Sequence, residues 1–132
     1  MKTSQSCVSL RILVADDDEF MRMLIITILK KLGHTGVVVD DGKKLLACLA
    51  ERQFDVLLID VMMPVLDGLA TVAAIRRQEM VSGGHQRIIM ATAHTEPRDR
   101  ARLIEAGADG YVTKPILPDQ LQQELQRVMS VS

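Results

Sequence analysis

Apolar and polar positions along the chain fall into two interleaved patterns. Short apolar runs occupy 11–15, 36–39, 55–59, 87–91 and 110–112. Between and after them lie stretches 19–32, 42–52, 68–80, 97–106 and 117–129, in which apolar residues recur three and four positions apart. The first pattern predicts buried strands and the second amphipathic helices. Gly33 follows the first helical stretch where a C-terminal glycine is favoured, and Asp67 precedes the third as an N-cap. Strict strand–helix alternation predicts an α/β fold, a doubly wound parallel sheet of five strands with five helices over its two faces. Val56, Leu57, Leu58 and Ile59 are apolar without interruption, which suits a central strand buried on both sides.

Composition narrows the function classes. The 132 residues suffice for one domain, expected over 11–129 after a short polar extension, 1–10. No stretch reads as a linker, and an effector domain is not expected. Phe20, Phe54 and Tyr111 are the only aromatics, and the net charge is -1. The chain therefore offers few base-stacking surfaces and no basic field, so direct nucleic-acid binding is not expected. No apolar stretch reaches the ~20 residues of a membrane span, and the start has no signal-peptide character, so the expectation is a cytoplasmic chain with no membrane role. Cys7 and Cys48 lie far apart, and His34, His85 and His94 lack metal-ligand spacing.

In a sheet of this kind ligands bind at the carboxyl ends of the strands, near the point where strand order reverses. The first strand runs into Asp16, Asp17 and Asp18, the third into Asp60, the fourth into Thr92 and the fifth into Lys114-Pro115. Singly, an acidic run is a solvated turn and an aspartate is a cap. Their joint arrival at one rim points to a site. Carboxylates from two strand ends are hard oxygen ligands suited to Mg²⁺, which also keeps waters and phosphate oxygens in its shell. With that charge neutralised, Asp60 can attack phosphorus to give an acyl phosphate. Lys114 would offset charge on the transferring group, and the Thr92 hydroxyl could donate to one of its oxygens.

These residues resemble the receiver domain of two-component response regulators, including receivers attached to hybrid histidine kinases. The motifs are Asp16-Asp17, Asp60 followed by MMPVLDG, Thr92-Ala93, and Gly110-Tyr111 ahead of Thr113-Lys114-Pro115. The resemblance implies a flavodoxin-like fold with strand order 2-1-3-4-5. It implies that Asp60 takes a phosphoryl group from a phosphohistidine on a histidine kinase or histidine phosphotransfer protein. Mg²⁺ would sit among Asp17, Asp60 and the Met62 backbone carbonyl, with Asp16 acting through metal-bound water. A switch follows from the same resemblance: Thr92 moves inward on phosphorylation and Tyr111 rotates into the vacated space. The Lys114–Pro115 bond is expected to be cis. Such a chain signals or relays to a downstream protein and is not an enzyme, beyond its own phosphorylation and slow autodephosphorylation; dimerisation on phosphorylation is left open.

Two positions beside the acceptor are read as tuning residues. Apolar Met62 cannot orient an attacking water, and His94 stands two residues after Thr92. On the first helix, Phe20, Met21, Leu24, Ile25, Ile28, Leu29 and Leu32 share the arc expected to be buried, leaving Met23 and Ile26 outside it as a docking patch for the donor protein. Three rivals are weaker. A haloacid-dehalogenase-type phosphatase would use the D-x-D of Asp16–Asp18, but the chain continues with Glu19-Phe20 instead of Gly-Thr or Gly-Val. A dinucleotide site would need G-x-G-x-x-G in the first turn, which is acidic here. A phosphorylation-independent scaffold is the third.

Overall fold

Five strands and five helices alternate in the computed structural model, which describes residues 9–63, 65–93 and 96–130. The strands are β1 (Arg11–Ala15), β2 (Thr35–Val39), β3 (Val56–Asp60), β4 (Arg87–Thr92) and β5 (Gly110–Thr113). The helices are α1 (Glu19–Lys31), α2 (Gly42–Glu51), α3 (Gly68–Ser82), α4 (Pro97–Ala106) and α5 (Pro118–Ser130). All neighbouring strands pair in parallel, in the order β2-β1-β3-β4-β5. The expected flavodoxin-like arrangement is the one observed.

The two-residue period of the strands creates two cores. Ile12, Val14, Val56, Leu58 and Ile89 pack with Ile25, Ile28 and Leu29 of α1 and Leu121, Leu125 and Val128 of α5. Leu13, Leu57, Ile59, Ile88 and Met90 pack on the other face with Leu45 of α2, Val72 and Ile75 of α3, and Leu103 of α4. Every residue of β3 is buried, as its unbroken apolar run requires. Each fully buried aliphatic side chain contributes roughly 2 kcal/mol relative to exposure. Among the described residues, no helix is long and apolar enough to cross a membrane.

Strand and helix limits differ from the sequence pattern at a few ends, for local reasons. β3 begins at Val56 because Asp55 turns its carboxylate to the Arg11 N–H, at 2.8 Å. It continues to Asp60 because that residue pairs in register with Ala91. β4 and β5 likewise each gain a threonine, Thr92 and Thr113, which pair with each other. α3 runs on to Ser82 and stops at Gly83, whose φ of 83° suits glycine and whose N–H returns to the Glu79 carbonyl.

The apolar arc of α1 needs a larger correction. Phe20 is 74% exposed, because it stands in the first turn at the rim, ahead of the buried series that begins with Ile25. Ile26 is half-buried, not free as the helical arc suggested: its Cδ1 fills the space a Cβ would take at Gly36 in β2, 2.8 Å from that position. Gly36 lets α1 settle close to β2 and so turns part of the supposed outer face inward.

Candidate functional site

The acidic run after β1 divides into separate tasks. Asp16 is buried, at 1% exposure, and its Oδ1 accepts the Asp18 N–H at 2.9 Å. Asp17 faces solvent. Asp18 is the N-cap of α1 and accepts the Phe20 N–H at 3.0 Å, while Glu19 adds negative charge to the first turn. A cap of this kind is worth about 1 kcal/mol. Thus half of the run stabilises a helix start, and only Asp16 and Asp17 remain for the site.

Those two meet Asp60 at the carboxyl ends of β1 and β3. One oxygen from each of Asp16, Asp17 and Asp60 lies within 4.8 Å of the others. Lys114, just beyond β5, reaches across the rim: its Nζ is 3.2 Å from Asp16 Oδ2 and 3.1 Å from Asp60 Oδ2. The Lys114–Pro115 bond is cis, as expected. Asp60 Oδ1 accepts the Met62 N–H at 3.2 Å, and Arg22 of α1 donates to the Asp16 carbonyl at 2.9 Å. Among the described residues three carboxylates therefore cluster here, and the Lys114 ammonium pairs with two of them.

Burial is the strongest influence on Asp60 and pushes its carboxyl above the ordinary value; the neighbouring Asp16 charge adds to this, and Lys114 and the Met62 N–H oppose it. For Lys114 burial acts downward, but the hydrogen bond and charge of Asp60, followed by those of Asp16, more than offset it. Its ammonium is held above the ordinary value. Folded Asp60 thus keeps its proton to a higher pH than the unfolded chain does. Its charge costs stability at neutral pH, and that cost fades as pH falls toward the ordinary carboxylate range. In chelator, Asp60→Asn is expected to stabilise the chain by about 1 kcal/mol at neutral pH, the gain shrinking on acidification. Denaturant titrations of both proteins across pH check this; an equal or growing gain in acid would refute it.

The donor set fits a divalent cation. It consists of carboxylate oxygens in excess over the one ammonium, with no thiolate or imidazole among the clustered groups. The remaining predicted residues sit around it. Thr92 is buried at the end of β4, and its carbonyl accepts the Lys114 N–H at 2.8 Å. Tyr111 is half-buried toward α4, with the Arg100 guanidinium 5.7 Å from its ring centre. Met62 is 69% exposed on the loop after β3, and Met23 is 64% exposed on α1. His94 lies outside the described residues.

After β3, one residue holds a backbone conformation its side chain does not favour. Val65 has φ of 69°, a left-handed geometry that crowds a β-branched side chain, and its side chain is exposed. Val65→Asn is expected to stabilise the chain by about 1 kcal/mol, read from the shift of a urea midpoint. An unchanged midpoint would show that the strain is not there.

Sequence reasoning missed Arg76 of α3. Its guanidinium donates to the Gly107 carbonyl at 2.9 and 2.7 Å and the Gln86 carbonyl at 2.8 Å, and pairs with Glu79 and Asp109. It thereby ties α3 to the starts of β4 and β5. Only the Glu79 partner, three residues away on the same helix, could have been read from local spacing.

Known proteins share this arrangement. The sequence model described as the response regulator receiver domain matches residues 12–126. Hybrid signal transduction histidine kinase I of Dictyostelium discoideum is 40% identical over 118 residues, 86% of this chain and 7% of that protein. Sensor histidine kinase GacS of Pseudomonas protegens is 37% identical over 114 residues, 86% of this chain and 12% of its own length. The chain thus spans a small part of these relatives. Among solved structures, chemotaxis response regulator CheY4 of Vibrio cholerae superposes with a TM-score of 0.82 at 32% identity, covering 92% of this chain and 99% of that one. The receiver domain of sensor histidine kinase PA1611 from Pseudomonas aeruginosa, with magnesium coordinated in its active site cleft, gives 0.82 at 31% identity over 94% and 100%. Sequence, topology and the acidic rim agree: this chain belongs to the response regulator receiver domain family of two-component signalling.

Proposed function

We propose that Asp60 is the acceptor of a phosphoryl group delivered by a phosphohistidine of a histidine kinase or histidine phosphotransfer protein. The observation that carries this reading is the single lysine bridging Asp16 and Asp60, with Asp17 in the same cluster. An Asp60 carboxylate oxygen forms a bond to phosphorus as the donor's P–N bond breaks, and the imidazole leaves with the electron pair. Lys114, already on Asp60 Oδ2, shifts toward the developing negative charge of the phosphoryl oxygens. The Met62 N–H holds the other Asp60 oxygen in place. Mg²⁺, with Asp17, Asp60 and the Met62 carbonyl as its protein ligands and Asp16 acting through bound water, supplies charge neutralisation when present. The magnesium coordinated in the PA1611 receiver supports that choice of metal.

The chemistry is stoichiometric, one phosphoryl per acceptor, which is a signalling event and not turnover of a separate substrate. Thr92 and Tyr111 are the switch pair of this reading: the threonine hydroxyl follows the phosphoryl group and the ring fills the space behind it. Exposed, apolar Met62 cannot direct a water at phosphorus, so the acyl phosphate is long-lived. His94, the other tuning position, would act beside it.

The donor docks on the apolar rim next to the acceptor. Met23 is joined there by Phe20, both exposed at the start of α1, while Ile26 supports the helix from below. Phe20→Asp combined with Met23→Asp is expected to slow transfer from the protein donor about tenfold while leaving labelling by acetyl phosphate unchanged. Parallel transfer assays with the two donors decide it. Equal rates from the protein donor would remove α1 from the interface, and equal losses with both donors would mean the acceptor itself was damaged.

A further inference from the structure

The outer edge of β5 is closed by a pair of side chains from α5. Among the described strands β5 stands at the edge, paired only with β4. On its other side the Tyr111 N–H donates to Glu124 Oε2 at 2.9 Å, and Arg127 Nη2 donates to the Asp109 carbonyl at 2.7 Å. Glu124 and Arg127 are themselves joined twice, at 3.0 and 2.9 Å. Gly110 makes room for them: a Cβ there would collide with the Glu124 carboxylate and lie 2.7 Å from Arg127 Nη2. These two residues thus perform on β5 and the residue before it the hydrogen bonding that a further strand would perform.

The opposite end of the same strand is loaded from the rim. Lys114 follows β5 directly, its N–H bonds the Thr92 carbonyl, and its ammonium holds Asp16 and Asp60. A phosphoryl group on Asp60 that drew Lys114 toward itself would pull on β5, which is held by β4 on one side and by the α5 pair on the other. Beside that pair lies an open groove of about 380 Å³ lined by Tyr111, Thr113, Gln120, Gln123, Glu124 and Arg127. Water in this groove can take over the pair's hydrogen bonds when the pair leaves the strand edge.

We propose that Glu124 and Arg127 form a latch, closed on the β5 backbone here and open when the rim carries a phosphoryl group, through which α5 reports the state of Asp60. The inference rests on the acceptor reading given above. Glu124 is a positioning residue: it touches the Tyr111 backbone and none of the reacting atoms.

Amide hydrogen exchange by NMR, with Mg²⁺ and beryllium fluoride as the phosphoryl mimic, tests it on the full chain. In the parent, the mimic should speed exchange of the Tyr111 amide about fivefold or more, while Thr92 and its neighbours on β4 shift. Glu124→Ala should speed Tyr111 exchange about tenfold without the mimic and show no further rise with it. Gly110→Ala, which displaces the carboxylate while keeping Glu124, should reproduce that behaviour. Glu124→Gln, which retains an acceptor oxygen, should return exchange to within about twofold of the parent. If β4 responds to the mimic and the Tyr111 amide does not, the latch is wrong and the acceptor reading stands. If neither Asp60 nor β4 responds, the acceptor reading fails and takes the latch with it.

Discussion

Lys114→Ala is expected to destabilise the metal-free chain by about 3 kcal/mol. Among the described residues, the lysine is the one ammonium within ion-pair distance of both Asp16 and Asp60, whose side chains are 1% and 6% exposed. Removing it leaves two buried like charges without the ammonium that pairs with both, and the lost pairing energy is larger than for a surface salt bridge because little solvent reaches them. Millimolar Mg²⁺ should recover most of the loss, since a divalent cation among Asp16, Asp17 and Asp60 replaces the missing charge. Mg²⁺ should therefore stabilise the variant more than the parent. Lys114→Met, which keeps the aliphatic stem, separates charge from packing. Urea titrations with Mg²⁺ or with chelator measure all three proteins. Equal Mg²⁺ effects on parent and Lys114→Ala would mean that the ammonium and the metal do not answer the same charge.

The second large effect belongs to Gly68, the first residue of α3. A Cβ at this position would press on the Asp60 carbonyl oxygen, 2.8 Å from Met90 Cε and 2.9 Å from Val61 Cα. Two of these three contacts are backbone, which cannot yield without moving the end of β3 at Asp60. Gly68→Ala should cost about 3 kcal/mol and, at temperatures where the variant is folded, slow labelling of Asp60. Gly83→Ala is the informative control. Gly83 has φ of 83° but nothing within 4 Å of an added Cβ, so it should cost about 1 kcal/mol and leave labelling unchanged. If the two variants lost equal stability and neither affected Asp60, the close approach of α3 to β3 would not matter to the site.

The fold was legible because its signals are local and redundant. The unbroken run in β3 requires burial on both faces, and helical spacing recurs between every pair of strands. The meeting of Asp60 and Lys114 was legible for a topological reason: parallel strands bring all their carboxyl ends to one rim, so residues remote in sequence converge without any local motif. Other features depend on contacts the pattern does not encode. Asp18 reads like its neighbours Asp16 and Asp17 until backbone geometry makes it a cap. Ile26 reads as an outer residue until the missing side chain of Gly36 admits it to the sheet. The carbonyl that Arg76 binds twice lies 31 residues away and its Asp109 partner 33, beyond any helical or strand period. Glu124 looks like an ordinary helix-surface charge until β5 is placed at the sheet edge beside it.

Intact-mass measurement of the purified chain after incubation with acetyl phosphate, with Mg²⁺ or with chelator, bears most directly on the account. A metal-dependent gain of one phosphoryl group is predicted, labile to hydroxylamine, mapping to the peptide that contains Asp60 and absent from Asp60→Asn. A chain that gains nothing under these conditions, gains the group equally in chelator, or carries it on another residue would contradict the assignment of Asp60 as a metal-assisted phosphoryl acceptor.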